Sequence, residues 1–229
     1  MVADTTSETR AADTRQSRRM LTEAFVLFSA PVTWLEIVAF LLALACVSLS
    51  VYEIHWGWPL AFVSSLLYAW LFGASKLYGE GALQLFFAAT ALWGWWQWLF
   101  GRRAGDAPAD HLHVARLDAR SRWLALAAWL AAWLAVAALL FRYSDSDVAF
   151  ADGFATGGSV LGQVLLGRKF IENWLVWVVV NLFSIGLFAY KALWLTALLY
   201  VVFAALAVAG WRRWRRQLPQ SPAALPRHA

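Results

Sequence analysis

The residues best suited to binding a solute lie on one stripe of a predicted helix late in the chain. Trp174, Trp177, Asn181 and Ser184 are spaced three, four and three residues apart, which places them on one helix face. Asn173 lies on the neighbouring row. Indole rings stack on flat solutes, and amides fix a solute's orientation by hydrogen bonds. The pattern favours a site for a flat, polar solute; the structural alternative is an interfacial tryptophan belt with an asparagine joining two helices.

An earlier predicted helix carries a second amide on an aromatic face. Gln84 shares this face with Phe87, Ala91, Trp95 and Trp98. A hydrogen bond from Gln84 to a neighbouring helix and a role in substrate binding explain this residue equally well. The residues on these two helices that could contact a solute include Gln84, Asn173, Trp174, Trp177 and Asn181.

The sequence has no constellation for catalysis or metal binding. It lacks the HExxH, CxxC, P-loop and GxSxG motifs. Two of its 4 histidines, His111 and His113, share a loop without a convincing third ligand. We predict that the protein is not an enzyme and uses no metal or cofactor.

The composition is that of a membrane protein. Hydrophobic residues make up 62% of the 229 residues and charged residues 14%, which is more apolar surface than one soluble core of this size can bury. The net charge of +5 comes from arginines at the ends of apolar runs, where basic residues set topology and meet lipid headgroups. We therefore expect membrane lipid, and no nucleic acid, among its partners.

Seven apolar runs are long enough to cross a bilayer as helices, so we predict an all-α membrane protein. These runs are 32–52, 57–75, 80–100, 122–141, 149–167, 170–190 and 192–212. Residues 20–30 are too short to span, and we expect an interfacial helix there.

These runs divide the chain into five predicted segments. They are a polar tail with the interfacial helix (1–31), a first three-helix bundle (32–100), a cytoplasmic loop with a linker helix (101–148), a second three-helix bundle (149–214) and a loose C-terminal tail (215–229).

Basic residues predict the orientation. With seven spans, one side holds twelve of the 19 Lys and Arg residues, and the positive-inside rule makes that side cytoplasmic. The C-terminus is then cytoplasmic and the N-terminus periplasmic. Four arginines of the N-terminal tail oppose this orientation, but the predicted interfacial segment separates them from the first span.

An internal repeat relates the two bundles. Shifting the chain by 116 positions aligns several aromatic and glycine residues, namely Trp58 with Trp174, Phe87 with Phe203, Gly94 with Gly210, Trp95 with Trp211 and Trp98 with Trp214. Three spans reverse the chain's side of the membrane and the linker span restores it, so the two bundles are predicted to be parallel. In transporters with parallel repeats, the substrate site lies between the halves.

The most specific sequence strings resemble the PnuC family of bacterial vitamin transporters. They are residues 76–79 followed by 83–86, the closing string 94–98, and residues 168–177 with Asn181. The resemblance covers about residues 32–214 and implies a seven-helix, three-plus-one-plus-three fold similar to SWEET sugar transporters. It also implies a homotrimer in the inner membrane and a site between the bundles that uses the five candidate residues named above.

The resemblance further implies facilitated diffusion of nicotinamide riboside, which a cytoplasmic kinase then traps by phosphorylation. Thiamine and riboflavin remain alternative substrates, since relatives of the family carry them. A membrane-embedded enzyme or subunit acting on lipid is the alternative from another functional class.

Overall fold

The computed structural model of the chain describes residues 23–27, 30–74, 78–103, 112–143, 148–190 and 194–218. Seven helices lie within these ranges, and their ends fall within three residues of the predicted spans, which confirms the all-α membrane class. They are α1 (Trp34–Val51), α2 (Gly57–Ala74), α3 (Tyr78–Phe100), α4 (Ala119–Tyr143), α5 (Ala149–Gly167), α6 (Glu172–Tyr190) and α7 (Trp194–Arg215). Lys76 and Lys191, at the matching turns between spans, lie outside the described residues.

The interfacial helix predicted for residues 20–30 is wrong for the described part of that segment. Glu23–Leu27 (β1) and Ala30–Thr33 (β2) pair as antiparallel strands, with Val26 opposite Pro31. A segment this short gains little from an isolated helix. Pro31 also lacks a backbone donor for helix continuation, and β-branched residues favour strands.

Helix α4 begins earlier than predicted because Asp118 caps it. The Asp118 Oδ2 accepts hydrogen bonds from the backbone nitrogens of Arg120 at 3.2 Å and Ser121 at 3.4 Å. An aspartate in this position satisfies backbone donors that the first turn leaves free. The hydrogen bond with the Ser121 side chain lowers the pKa of Asp118, with the backbone bonds acting in the same direction.

Six of the helices form a closed circuit of packed neighbours. Within each group of three, α1 packs on α2 and α2 on α3, while α5 packs on α6 and α6 on α7. Contacts of α1 with α7 and of α3 with α5 close the circuit, and α4 packs against α5 from outside. We call this arrangement the six-helix ring.

One end of the ring collects basic residues. The ends of α1, α3, α5 and α7 and the starts of α2 and α6 meet there, together with residues 112–118. Its basic side chains include Arg103, Arg168, Lys169, Arg212 and Arg213. We call this the basic end.

The outer helix faces are apolar, as a lipid environment requires. Among the described residues, three helical stretches are long and apolar enough to cross a membrane: Ala119–Tyr143, Glu172–Tyr190 and Ala197–Arg215. Phe40–Val51 and Gly57–Leu71 are shorter apolar stretches. On α4, Leu126, Leu130 and Leu134 are each at least half exposed.

Glycines on α5 allow α4 to approach closely. A Cβ atom added to Gly157 would lie 2.8 Å from the backbone nitrogen of Trp133, and one added to Gly153 would lie 2.9 Å from the backbone nitrogen of Ala137. In lipid no hydrophobic force drives helices together. Small residues at the contact let two helix backbones come close enough for van der Waals packing to stabilise it.

We predict that Gly157→Ala destabilises the protein by about 1–3 kcal/mol, because the added methyl group meets the α4 backbone rather than a movable side chain. Thermal unfolding of the detergent-purified protein measures the effect. Gly186→Ala is the matched control, since a Cβ there has nothing within 4 Å. Equal melting temperatures for the two variants would contradict this account of the α4–α5 contact.

Candidate functional site

Four buried tryptophans close the ring at its basic end. Trp58 meets Trp98 edge-to-face, with ring centroids 5.5 Å apart at 83°, and Trp174 meets Trp214 in the same way at 5.4 Å and 88°. Trp98 and Trp214 join the two pairs at 6.1 Å. Edge-to-face pairs add to the stabilisation from burial. We call these four residues the tryptophan cluster.

Two glycines hold the outer members of the tryptophan cluster. A Cβ atom added to Gly94 would lie 2.4 Å from Trp58, and one added to Gly210 would lie 2.5 Å from Trp174. Real Cβ atoms do not approach other atoms this closely, so only glycine admits each indole against the neighbouring helix. Both indole–glycine pairs are among those aligned by the shift of 116 positions.

Several polar atoms of the cluster and of the neighbouring Asn173 are buried without a protein partner among the described residues. They are the indole nitrogens of Trp58, Trp174 and Trp214 and the Oδ1 of Asn173. Trp98 differs, because its indole nitrogen donates to the Leu166 carbonyl at 3.1 Å. Trp98 is thus the member of the cluster that a hydrogen bond ties directly to α5.

An ion pair joins the two halves of the ring beside the tryptophan cluster. The Nζ of Lys169 lies 3.1 Å from the Oε2 of Glu53, and the side chains are 12% and 18% exposed. The same ammonium lies 4.7 Å from the centre of the Trp98 ring. Glu53 and Lys169 also share a positive φ, at 57° and 53°. The pair thus fastens the turn after α1 to the turn after α5.

A short extended segment clamps the start of α6. Ala115 donates to the Lys169 carbonyl at 3.1 Å and accepts from the Ile171 nitrogen at 2.9 Å. The carboxylate of Glu172 accepts from the Leu117 nitrogen at 3.1 Å and from the Arg122 guanidinium at 3.2 Å. Glu172 therefore has a structural role that connects α6 to α4.

The five candidate residues fall into two groups. Asn173 and Trp174 belong to the closed basic end: Asn173 is fully buried, with its amide nitrogen 2.6 Å from the Phe170 carbonyl, and Trp174 is in the tryptophan cluster. Trp177, Asn181 and Gln84 lie farther along their helices, away from the basic end. A substrate-binding role for all five stays a prediction.

The α6 stripe faces the interior of the ring. Asn181 is 4% exposed and Ser184 2%, whereas Leu175, Val179 and Leu182 on the other face are 45–57% exposed. Trp177 lies against α5, where a Cβ atom added to Gly162 would come within 2.9 Å of its indole. The stripe therefore faces protein rather than lipid.

The helical rise places the members of the second group at different depths. At 1.5 Å per residue, Asn181 lies about 10 Å beyond Trp174 and Ser184 about 15 Å beyond it. Gln84 lies about 15 Å beyond Gly94, at a comparable depth on α3. It is half-buried on the inner face of that helix, which it shares with the buried Ala91.

Sequence reasoning missed the ion pair and gave the tryptophan cluster too little weight. The shift of 116 positions that aligned Trp58 with Trp174 also aligns Glu53 with Lys169, and these residues carry opposite charges. The opposite charges of these two aligned residues were the available signal for this contact.

A separate apolar cleft lies outside the ring, where α4, α5 and α6 meet. It has a volume of about 440 Å³ and is lined largely by aromatic side chains, including Trp133, Phe150, Phe154 and Phe183. None of the five candidate residues lines it. Within the described residues, no group of three or more His, Cys, Asp or Glu side chains is placed to hold a metal ion.

Residues 33–216 match the family model described as nicotinamide mononucleotide transporter, and this range contains all seven helices. The chain belongs to this transporter family. It is therefore a multi-pass membrane protein, as the apolar helices require. The resemblance to PnuC proteins predicted from the sequence is confirmed.

Relatives of the chain are named for different substrates. The chain is 31% identical over 196 residues to the riboflavin/roseoflavin transporter RibM of Streptomyces davaonensis, covering 84% of this chain and 89% of RibM. It is 25% identical over 213 residues to the nicotinamide riboside transporter PnuC of Escherichia coli, covering 80% and 85% of the two chains.

The fold of the family is also that of a solved structure. The crystal structure of the vitamin B3 transporter PnuC matches with a TM-score of 0.64 and 26% sequence identity. The match covers 80% of this chain and 81% of that one.

We predict that reversing one charge of the Glu53–Lys169 pair weakens the basic end and reversing both restores it. Lys169→Glu places two carboxylates together and should lower the melting temperature by roughly 2–4 °C, which is about 1 kcal/mol for a chain of this size. Adding Glu53→Lys should recover most of that loss, although the cation–π contact with Trp98 must form again.

Thermal unfolding of the single and the double variant checks this expectation, with Arg215→Glu as the control because Arg215 is an exposed basic residue at the same end. A double variant no more stable than Lys169→Glu alone would show that the ion pair does not fasten the two turns.

Proposed function

We propose that the protein imports nicotinamide riboside by facilitated diffusion and that a cytoplasmic kinase traps the product by phosphorylation. Family membership and the inward-facing stripe of Trp177, Asn181 and Ser184 support this proposal. An indole face attracts the cationic pyridinium ring by about 2 kcal/mol when desolvated. Amide and hydroxyl groups suit the carboxamide and the ribose hydroxyls.

The placement of charge favours a nucleoside over a nucleotide. Helices α1, α2, α3, α5 and α6 contain no Arg or Lys, and those of α4 and α7 lie at the helix ends. A phosphate group is usually recognised by arginine or lysine. A neutral-walled site between these helices therefore suits the unphosphorylated vitamin.

Riboflavin is the second candidate substrate. RibM is the more similar in sequence of the two relatives described above, and the tricyclic ring of riboflavin would also stack on an indole face. Thiamine is cationic and aromatic, so the cation–π argument accommodates it as well. Direct binding measurements with all three vitamins distinguish these substrates.

The pattern of helix contacts supports a three-plus-one-plus-three, SWEET-like architecture for this function. Exchanging α1, α2 and α3 with α5, α6 and α7 leaves the contacts of the six-helix ring unchanged. The two edge-to-face tryptophan pairs are likewise related by the shift of 116 positions. The proposal therefore includes two parallel bundles with α4 as linker, and the homotrimer that the family resemblance implies.

In this proposal, the basic end is the end that must open to release the substrate. The positive-inside rule makes the basic end cytoplasmic in the bacterial inner membrane, with the C-terminus in the cytoplasm and the N-terminus in the periplasm. Substrate enters from the opposite end and is released when the tryptophan cluster and the Glu53–Lys169 pair separate.

The distribution of acidic residues favours transport without ion coupling. The acidic residues of the seven helices, Glu36, Glu80, Asp152 and Glu172, all lie in the first turns of their helices. Proton-coupled transporters use ionisable groups inside the membrane, and the middles of these helices have no Asp, Glu, His, Lys or Arg.

We expect purified protein in liposomes to equilibrate nicotinamide riboside without ATP or an ion gradient. Radiolabelled uptake into protein-containing and protein-free vesicles measures this flux and also separates a transporter from a lipid-modifying enzyme. Accumulation above the external concentration under a pH gradient, with the membrane potential held at zero, would contradict facilitated diffusion.

We expect Trp177→Ala and Asn181→Ala each to weaken vitamin binding at least about fivefold, the effect of losing roughly 1 kcal/mol of stacking or hydrogen bonding. Isothermal titration of purified variants gives the affinities. Leu182→Ala is the matched control, since Leu182 is adjacent to Asn181 and 57% exposed on the lipid face. Unchanged affinity in folded Trp177 and Asn181 variants would remove these residues from the site.

A further inference from the structure

The inner face of α2 repeats the spacing of the α6 stripe with different side chains. Trp58, Ala61, Ser65 and Tyr68 are spaced three, four and three residues apart. Each lies 116 positions before its counterpart in the stripe formed by Trp174, Trp177, Asn181 and Ser184. The first members, Trp58 and Trp174, both belong to the tryptophan cluster, so the two stripes start at the same depth.

The exposed residues of α2 fix the direction of its inner face. Val63, Leu66 and Trp70 are 41–48% exposed on the lipid side. At 100° per residue, Ala61, Ser65 and Tyr68 lie on the opposite side of the helix. Ser65 is only 8% exposed, in agreement with that position.

The two stripes face each other across the ring. Helix α2 has α1 and α3 as its ring neighbours, and α6 has α5 and α7. Helices α2 and α6 therefore occupy opposite places in the ring. Because their inner faces are directed away from lipid, these faces are directed toward the centre of the ring. At equal rise from the tryptophan cluster, Ala61 is level with Trp177, Ser65 with Asn181 and Tyr68 with Ser184.

Side-chain size alternates between the facing positions. The methyl group of Ala61 is level with the Trp177 indole, and the small hydroxymethyl group of Ser65 is level with the Asn181 amide. The next level reverses the order, with the large Tyr68 opposite the small Ser184. A repeat that kept Trp and Asn on both helices would place two indoles and two amides in the same central space.

We propose that α2 forms the second wall of the substrate site, with Ala61 setting the space for the substrate's aromatic ring and Ser65 contacting its polar edge. The ring lies between the Trp177 indole and the Ala61 methyl group. The Ser65 hydroxyl and the Asn181 amide bind from opposite sides, and Tyr68 covers the end away from the tryptophan cluster. This inference rests on the proposed transport of an aromatic vitamin.

Filling the Ala61 position tests the proposed wall. Wild-type protein is first titrated with nicotinamide riboside and riboflavin, and the vitamin that binds serves as the probe. Ala61→Trp should weaken its binding at least about a hundredfold, because the added indole occupies the ring's place. Val63→Trp is the matched control on the lipid face of the same helix and should bind as wild type does.

The outcomes separate the two proposals. Wild-type protein that binds neither vitamin contradicts the proposed function. Wild-type binding that Ala61→Trp leaves unchanged overturns the second wall alone and leaves the proposed function in place.

Protection of a cysteine at position 65 by bound vitamin tests the second wall even if Ala61→Trp fails to fold. The chain has 1 cysteine, Cys46, so Ser65→Cys in a Cys46→Ala background gives a single reactive thiol. A small hydrophilic thiol reagent should label it, and a saturating concentration of the vitamin should slow labelling at least about fivefold. Arg215→Cys, exposed at the basic end, should label in the same background at a rate that the vitamin does not change. Absence of labelling in the Ser65→Cys variant, or labelling that the vitamin leaves unaffected, would overturn the proposal.

Discussion

The contact of two indoles with two glycines determines how the helices of this protein come together. Gly94 and Gly210 allow Trp58 and Trp174 to reach the adjacent helix backbone, and the edge-to-face partners of these indoles then meet each other. Four helices are thereby joined at one end of the ring. Without a hydrophobic force between helices in lipid, close packing of this kind is what sets their relative depth. The depth of every interior side chain follows from this reference.

Membrane solvation explains why the polar residues divide as they do. Lipid offers no partners, so Asn181, Ser184 and Ser65 lie inside the ring, and the basic side chains lie at helix ends where water reaches them. The ion pair of Glu53 and Lys169 occupies the boundary between these regions. Its side chains are largely shielded from solvent and lie close to the helix ends.

The sequence predicted the helices well because a span needs only a long apolar run, and no helix end moved by more than three residues. It also predicted which face of α6 turns inward, since periodicity carries that information. Periodicity could not show that Asn173 belongs to the closed basic end while Asn181 lies deeper in the ring. The depth of a residue along α6 depends on which elements pack at the end of the helix. The turn at Lys169 brings the Phe170 carbonyl to the Asn173 amide, and this contact is set by Ala115, far away in the chain. The strands of residues 23–33 were missed because an apolar run of this length has no periodicity strong enough to identify its structure.

The two repeats carry the same residues at the basic end and different residues where the proposed site lies. This difference follows from what the proposed transport requires of the two regions. In the proposed transport step each half moves against its counterpart, so a closure built from the same residues in both halves suits it; the paired tryptophans and glycines satisfy that condition. A vitamin has no such symmetry, so identical walls would offer the same group to its aromatic ring and to its polar edge. Replacement of Trp and Asn by Ala and Ser on α2 gives the proposed site one large wall and one small wall. The positions at which the repeats diverge are therefore the positions where changes of substrate within the family are expected to arise.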